Sequence, residues 1–307
     1  MGCSSSSSSS PSGSSKFMQK LKGCCNWCNK INIKISESQA FTLSRPALVS
    51  RIPKQYLKTH YIQEFDKTSQ FGDLEEAVLE LKSLIEDSGL KYQADQIQKI
   101  YEEEESNPAN CVTMIWTSDI VITALINCAL VVDTVHTYPN INKDAFNFYF
   151  EFLEDRNLEY KTIISKYMKY MRILNSCIVT LGRDYNTADR KTYWNLSKTI
   201  LPPSIEVGDT FRISNWLWTI ESKQACKEFH QKYENKDQLM VEFLIEEGCF
   251  NAGGINKFGK SKDSTDETLI PPYTVVTLIK KEDNYAVLKV AKDNKDYHFD
   301  MDVSCAN

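Results

Sequence analysis

The spacing of apolar residues predicts helices in the chain after about Glu64. Apolar side chains recur three and four residues apart over residues 74–85 and again over residues 97–101, and Gly89 between them predicts a helix stop. Three more helices are predicted over Thr117 to Asp133, Lys143 to Leu153 and Tyr160 to Leu181. These apolar stripes indicate a buried core rather than functional sites.

After Thr192 the pattern changes to short runs of branched and aromatic residues separated by polar or glycine turns, which is typical of β-strands. The clearest runs are Phe211 to Ile213, Leu239 to Ile245, Tyr273 to Ile279 and Tyr285 to Val290. Helices followed by strands predict an α+β fold with an antiparallel or mixed sheet. The chain has neither a Gly-x-Gly-x-x-Gly motif nor a P-loop, so a Rossmann or kinase-type site has no support.

The longest apolar run, residues 120–132, is interrupted by Thr123 and Asn127 and is shorter than the roughly 20 residues that span a bilayer. We interpret it as a buried helix. With 307 residues, 42% of them hydrophobic, the chain can bury a substantial core. The predicted organisation is an amino-terminal arm over 1–36, a linker over 37–63, a helical subdomain over 64–192 and a β-rich core over 193–307.

Charge is polarised along the chain. Residues 1–36 hold five lysines and no acidic residue, so removing those five charges from the total of −5 leaves −10 for the remainder. An acidic body argues against bulk nucleic-acid binding, whereas a basic arm suits an anionic membrane surface.

The amino terminus matches the N-myristoylation pattern, because Gly2 follows Met1 and a serine stands at the sixth position. One myristoyl chain binds membranes only marginally, so a second signal is expected, and Cys3 is a candidate for palmitoylation beside the lysines of the arm. This predicts a lipoprotein at the cytoplasmic face of a membrane. The alternative is a chance glycine in a low-complexity, serine-rich tail.

Ten cysteines invite a zinc or disulfide interpretation, and Cys24, Cys25 and Cys28 form a compact group. No second Cys-x-x-Cys follows, and the four histidines lie far away in sequence, so no metal site is predicted. In a reducing cytosol most thiols should be free. The cysteine group is then either a site of acylation or redox chemistry, or a hydrophobic patch near the membrane.

Residues 265–273, Thr-Asp-Glu-Thr-Leu-Ile-Pro-Pro-Tyr, place the carboxylate of Glu267 on a polar approach before an apolar strand that ends in prolines. That arrangement can aim a carboxylate into a cleft. The segment resembles the closing motif of the arginine-specific mono-ADP-ribosyltransferases, a glutamate-x-glutamate pair followed by Leu-Ile-Pro-Pro and an aromatic residue. Glu267 stands at the essential second glutamate, and Thr265 stands at the first, on the acceptor side.

The resemblance extends over roughly Ser118 to Cys305. Tyr193-Trp194-Asn195 is similar to the Tyr-Arg-Gly triplet that ends a family strand, with Trp194 in the place of the arginine that holds NAD. The segment from Trp216 to Ile220 aligns with the family's Phe-x-Ser-x-Ser, and Thr219 and Ser222 are the hydroxyls near the missing serines. Residues 253–258 resemble the family's approach to the glutamate pair.

The resemblance implies an ADP-ribosyltransferase-type fold with a β-sandwich core and NAD as substrate, without a metal. It implies that Glu267 is catalytic and that four residues contact the dinucleotide: Trp194, Trp218, Thr219 and Ser222. The implied activity is transfer of ADP-ribose to a protein acceptor, with arginine as the acceptor in doubt because Thr265 cannot act as its base, or hydrolysis of NAD. The alternative is an inactive pseudoenzyme, membrane-anchored, in which Trp194, Trp216 and Trp218 fill the former cofactor cleft.

We predict that Gly2→Ala releases the full chain from membranes, because it removes the myristoyl acceptor. The measurement is fractionation of cells that express either form. Cys3→Ser is the matched comparison, since it removes only the second anchor and should release a smaller share. Unchanged fractionation of the Gly2→Ala chain would contradict the lipid anchor.

Overall fold

The computed structural model describes residues 46–49, 74–118, 120–138, 141, 143–197, 201, 205–232, 238–255 and 267–293. Helices come first and strands second along most of this length. Thr265, Gly2, Cys3 and the Cys24, Cys25, Cys28 group lie outside the described residues.

Seven α-helices lie within the described residues. They are α1 Leu74–Asp87, α2 Lys91–Glu104, α3 Pro108–Ser118, α4 Ile120–Thr137, α5 Asn147–Glu154, α6 Tyr160–Tyr185 and α7 Lys223–Lys232, with a 3-10 turn Lys143–Phe146 before α5.

The strands are β1 Leu48–Val49, β2 Arg190–Ser197, β3 Thr210–Ile213, β4 Leu217–Ile220, β5 Gln238–Ile245, β6 Gly253–Gly254, β7 Glu267–Ile270, β8 Val275–Glu282 and β9 Tyr285–Val290. In the described ranges they form one sheet of nine strands in the order β1-β3-β8-β9-β5-β2-β4-β7-β6. Of the strand pairs in the described part of the chain, only β5–β9 is parallel. The predicted α+β class with a mixed, mostly antiparallel sheet is therefore confirmed.

The predicted helices are present, and the stop at Gly89 is confirmed by its positive φ of 78°, which a side chain would disfavour. Helix α3 was not predicted. Its residues from Cys111 to Trp116 are all buried, so the helix has no polar face along that stretch and the sequence carries no helical periodicity there. Tyr273 was predicted to begin a strand, but it lies in a turn with φ 58° and β8 begins at Val275.

Apolar side chains form cores on both faces of the sheet. The helical core packs α1 to α6 against part of one face, including Trp216, Leu269 and Tyr273. The sheet core covers the opposite face with residues such as Val241, Phe243 and Ile270. A small third group, the α7 cluster, consists of Tyr193, Ile220 and Cys226.

Asn127 joins the helical layer to the sheet. Its amide nitrogen donates to the backbone oxygen of Trp216 at 3.1 Å, and its Oδ1 accepts from the backbone nitrogen of Trp216, also at 3.1 Å. The Trp216 indole stacks at a tilt on Trp116, with ring centroids 5.4 Å apart, and its Nε1 donates to Tyr167 Oη. The start of β4 is therefore fixed to three helices.

Among the described residues no single helix is long and apolar enough to cross a membrane. Helices α3 and α4 meet that test only together, as a pair bent by 87°. The side chains from Ile122 to Val135 are almost all buried inside the protein, as expected for a core helix.

We predict that Asn127→Leu lowers the free energy of unfolding by about 2–4 kcal/mol, because it leaves two buried backbone groups of Trp216 without partners. Leucine has the same branched shape and the same number of side-chain heavy atoms, so the substitution leaves no cavity. Urea denaturation is the measurement. Asn147→Ala, at an exposed position, should change the free energy of unfolding by no more than about 0.5 kcal/mol. An equally small effect of Asn127→Leu would contradict the role of the two hydrogen bonds between Asn127 and Trp216, which we call the clamp.

Candidate functional site

Glu267 is the first residue of β7, and its side chain is only 6% exposed. Its neighbours across the strands are Ile220 on β4 and, through a backbone bond of 3.1 Å from Ile255 N to Glu267 O, the end of β6. Glu267 therefore begins a strand that lies between β4 and β6.

The strand registers place Glu267 in a row with three other side chains. Ile220 pairs with Glu267, Tyr193 pairs with Ile220, and Glu242 pairs with Tyr193. Directly opposed residues of antiparallel strands point to the same face, which we call the carboxylate face. Successive strands lie about 4.8 Å apart, so Glu267 and Glu242 are separated by roughly 14 Å along the row.

On this face Glu267 lies at a seam between two apolar groups. On one side are Ile220 and Tyr193 of the α7 cluster, which is covered by Cys226 of α7. On the other side are Leu269 and Ile255, which belong to the helical core. A carboxylate between two apolar groups is positioned by the packing of both.

The two prolines that follow β7 lead into a corner, a turn at Tyr273 that hydrogen bonds hold in place. Tyr273 Oη hydrogen bonds to Thr134 Oγ1 of α4 at 2.9 Å, and the backbone oxygen of Tyr273 accepts from Arg212 Nη1 at 2.8 Å. Burial raises the pKa of the Tyr273 phenol well above its usual value, partly offset by the Thr134 bond, so the group stays neutral. The Pro-Pro-Tyr part of the motif is thus an anchor that fixes where β7 ends.

The start of the approach to Glu267 is also held. Asn186 Nδ2 donates to the backbone oxygens of Cys249 and Ala252 at 2.7 and 2.8 Å. At Gly253 a Cβ would lie 3.1 Å from the Ile178 backbone oxygen of α6. Glycine at position 253 therefore lets β6 pack closely on α6.

Trp194, predicted to contact NAD, lies in the sheet core and is 6% exposed. It follows Tyr193 on β2, so it points to the face opposite Glu267. The β2 residues on the carboxylate face are Lys191, Tyr193 and Asn195. A stack of Trp194 on a dinucleotide beside Glu267 has no support in this arrangement, and the core interpretation of this tryptophan holds.

The other predicted contact residues are divided between the two faces. Trp218 is half-buried on the carboxylate face and packs against the helical core. Thr219 is buried on the opposite face, where its Oγ1 donates to Thr268 O at 3.0 Å. Ser222 is exposed, and its Oγ accepts from Ala225 N at 3.1 Å, which caps the start of α7. Trp194, Trp216 and Trp218 do not share one cleft.

Glu242 centres a polar group that sequence reasoning missed. Its oxygens accept from Lys191 Nζ at 2.8 Å and from Tyr285 Oη, and Lys223 Nζ lies over the rings of Tyr193 and Tyr285 at 5.8 and 4.7 Å. Burial raises the pKa of Glu242, but the bonds from Lys191 and Tyr285 outweigh it, so the net pKa is lowered. A signal for Glu242 was present in the sequence, because it is the single acidic residue in the apolar run of β5.

The buried thiols are poor nucleophiles. Burial is the largest cause that raises the pKa of each one, to about 12 at Cys111, Cys177, Cys226 and Cys249, and further at Cys128. Within the described part of the chain, no group of three or more His, Cys, Asp or Glu side chains is arranged to hold a metal ion.

No profile of a known protein family matches the chain, and no curated protein matches its sequence. Solved structures with partial likeness include the Vis toxin, an ADP-ribosyltransferase from Vibrio splendidus, with TM-score 0.34 and 12% identity over 65% of this chain and 84% of that one. An ADP-ribosyltransferase from Clostridium botulinum gives TM-score 0.38 and 9% identity over 65% and 94% of the two chains.

The type III effector XopAI from Xanthomonas axonopodis pv. citri gives TM-score 0.36 and 12% identity over 80% of this chain and 96% of that one. At TM-scores and identities this low, no activity of this chain follows from the three likenesses.

We predict that Glu242→Gln lowers the free energy of unfolding by about 1 kcal/mol near pH 7, because it removes the charge that holds Lys191 and Tyr285. The pKa of Glu242 is lowered on folding, so this stabilisation is present above the unfolded pKa of about 4.3 and is lost as the pH falls through the lower folded value. Urea titrations across that range measure it. The exposed Glu151→Gln variant on α5 is the control, and a pH-independent difference for Glu242→Gln would contradict the assignment.

Proposed function

We propose that this chain is an ADP-ribosyltransferase-like protein that takes NAD as substrate, with Glu267 as its central carboxylate. The observation that carries the proposal is the buried position of Glu267 at the first residue of β7, at the seam between the α7 cluster and the helical core. The sequence motif around Glu267 supports NAD as the substrate. The burial of Glu267 at the seam supports a functional carboxylate rather than an ordinary exposed residue at the start of a strand.

The chemistry suits a carboxylate in this environment. When nicotinamide leaves NAD, the ribose carbon becomes oxocarbenium-like, and a preorganised negative charge beside it lowers the barrier. Apolar neighbours such as Ile220 and Leu269 reduce screening by water, which strengthens the interaction between Glu267 and a developing positive charge. Glu267 would also accept a hydrogen bond from a ribose hydroxyl and so orient the sugar.

The residues beside Glu267 fit NAD only in part. An arginine binds a pyrophosphate with a planar fork of charged donors, and the β2 residues on the carboxylate face are Lys191, Tyr193 and Asn195. Lys191 pairs with Glu242, and the Asn195 amide donates to Cys226 O at 3.2 Å. With Thr265 at the acceptor-side position, transfer to arginine is the least supported reaction. Hydrolysis of NAD, or transfer to another protein acceptor, demands less of the site.

A second candidate function is an inactive binding module with the same fold. It is favoured by one observation: Ile220 and Tyr193, which have no cationic group, stand beside Glu267, and Trp194 is part of the core. Such a row binds a phosphate poorly. In that case the carboxylate face would serve recognition of a protein partner rather than catalysis.

We also propose that the lipidated arm holds the protein at the cytoplasmic face of a membrane. The support is the sequence of the arm, with Gly2 as the myristoylation site, Cys3 as the palmitoylation site and the lysines that follow. The acceptor or partner would then be a protein at that membrane, and the acidic body gives no support for nucleic acid.

The test is nicotinamide release from NAD by the full chain and by its Glu267→Gln variant. We expect turnover to fall at least about 100-fold, because glutamine keeps the shape and removes the charge that stabilises the transition state. Glu282→Gln, an exposed carboxylate on β8, should leave turnover unchanged.

Equilibrium dialysis with labelled NAD separates the two candidate functions. Binding without turnover would keep NAD as a ligand and remove it as a substrate. Absence of both binding and turnover in the wild-type chain would overturn the use of NAD and leave the inactive binding module.

A further inference from the structure

A cavity of about 390 Å³ opens in the helical layer, away from the sheet. It lies where the carboxyl ends of α4 and α5 meet the start of α6. Its lining residues are Val132, His136, Phe150, Leu153, Glu154, Asn157, Leu158, Glu159 and Tyr160. Ligand sites typically measure about 300–1,000 Å³, so this one suits a small molecule.

Three aromatic rings form one side of the cavity. The rings of His136 and Tyr160 are stacked with centroids 5.2 Å apart and an interplanar angle of 18°, and the Phe150 ring meets His136 edge-on at 5.2 Å. Each ring comes from a different helix, so the packing of α4, α5 and α6 fixes the group. Aromatic faces of this kind attract a positive charge through the ring quadrupole.

The rim of the cavity is rigid before any ligand arrives. Leu158 N donates to Leu153 O at 2.9 Å, and Asn157 N donates to Glu154 O at 2.9 Å. These two bonds, with Asn157 at φ 51°, form a Schellman motif that closes α5, and both leucines line the cavity. A preformed rim lowers the entropy lost on binding.

The charged side chains that line the cavity are carboxylates. They are Glu154 and Glu159, and no lysine or arginine among the described residues lines it. Two cations lie close by: Arg156 is held over the Phe152 ring at 4.0 Å and donates to Phe152 O, and Lys161 Nζ lies 5.9 Å from the centroid of the lining Tyr160 ring.

The helix ends add to this field. The carboxyl ends of α4 and α5, which carry partial negative charge, both face this region. The amino end of α6 has the opposite sign, but the Glu159 carboxylate accepts from Thr162 Oγ1 at 3.0 Å there and offsets it.

We propose that this cavity is a binding site for a small alkylammonium cation, such as one of choline size. The aromatic rings and the leucine and valine side chains hold the alkyl groups, and Glu154 and Glu159 neutralise the charge. The site is separate from Glu267 and does not rest on the use of NAD.

The proposal is tested by titrating the full chain with choline while binding is monitored by saturation-transfer NMR. The matched ligand is the uncharged isostere of choline in which carbon replaces nitrogen. We expect choline to bind about tenfold more tightly than the isostere, because only the cation gains from the rings and carboxylates. Equal affinity for the two compounds, or no saturable binding of choline, would overturn the site.

Variants locate the binding. The double variant Glu154→Gln and Glu159→Gln should weaken choline binding about tenfold while the affinity for the isostere stays unchanged. Glutamine keeps an oxygen that accepts the hydrogen bond from Thr162 Oγ1. Glu151→Gln, an exposed change on α5 outside the cavity, should have no effect. Unaltered choline affinity in the double variant would place the binding elsewhere and refute the proposal.

Discussion

The structure depends on the double hydrogen bond by which the Asn127 side chain pairs with the peptide of Trp216. The amide acts as an additional backbone unit, so a helix residue takes the place of a neighbouring strand at the start of β4. Since β4 is the strand that aligns β7, this bond connects the helical layer to the position of Glu267. Two buried backbone groups would lose their partners without it, which is why the clamp constrains the fold more than an apolar contact would.

The Leu-Ile-Pro-Pro-Tyr segment has a structural role that its chemistry does not reveal. Two prolines end β7, and Tyr273 then ties the corner to α4 through Thr134 and to β3 through Arg212. Because Leu217 pairs with Ile270, the hydrogen bonds at Trp216 and this corner hold β4 and β7 at the same end of the pair. A carboxylate at the first residue of β7 is therefore placed by anchors that lie several residues away from it.

The surroundings of Glu267 decide which chemistry is plausible. A buried carboxylate beside Ile220 and Leu269 acts strongly on a positive charge, because little water screens it. The same apolar row offers no fork of donors for a diphosphate, and the nearest lysine on β2 is already paired with Glu242. Under the proposed function, Glu267 would stabilise a cationic sugar rather than bind the phosphates.

Sequence alone determined the helices other than α3 and α7, the strands β3, β5, β8 and β9, and the α+β class, because apolar spacing follows directly from the 3.6- and 2-residue periods. It also singled out Glu267, since a carboxylate before an apolar, proline-terminated strand is a local pattern. It missed α7, it missed α3, whose residues from Cys111 to Trp116 are all buried, and it missed the Glu242 group, whose partners come from β2, β9 and α7. The face on which Trp194 points was decided only by the tertiary structure, because a shift of one residue in strand register exchanges the two faces, and register is set by the partner strands.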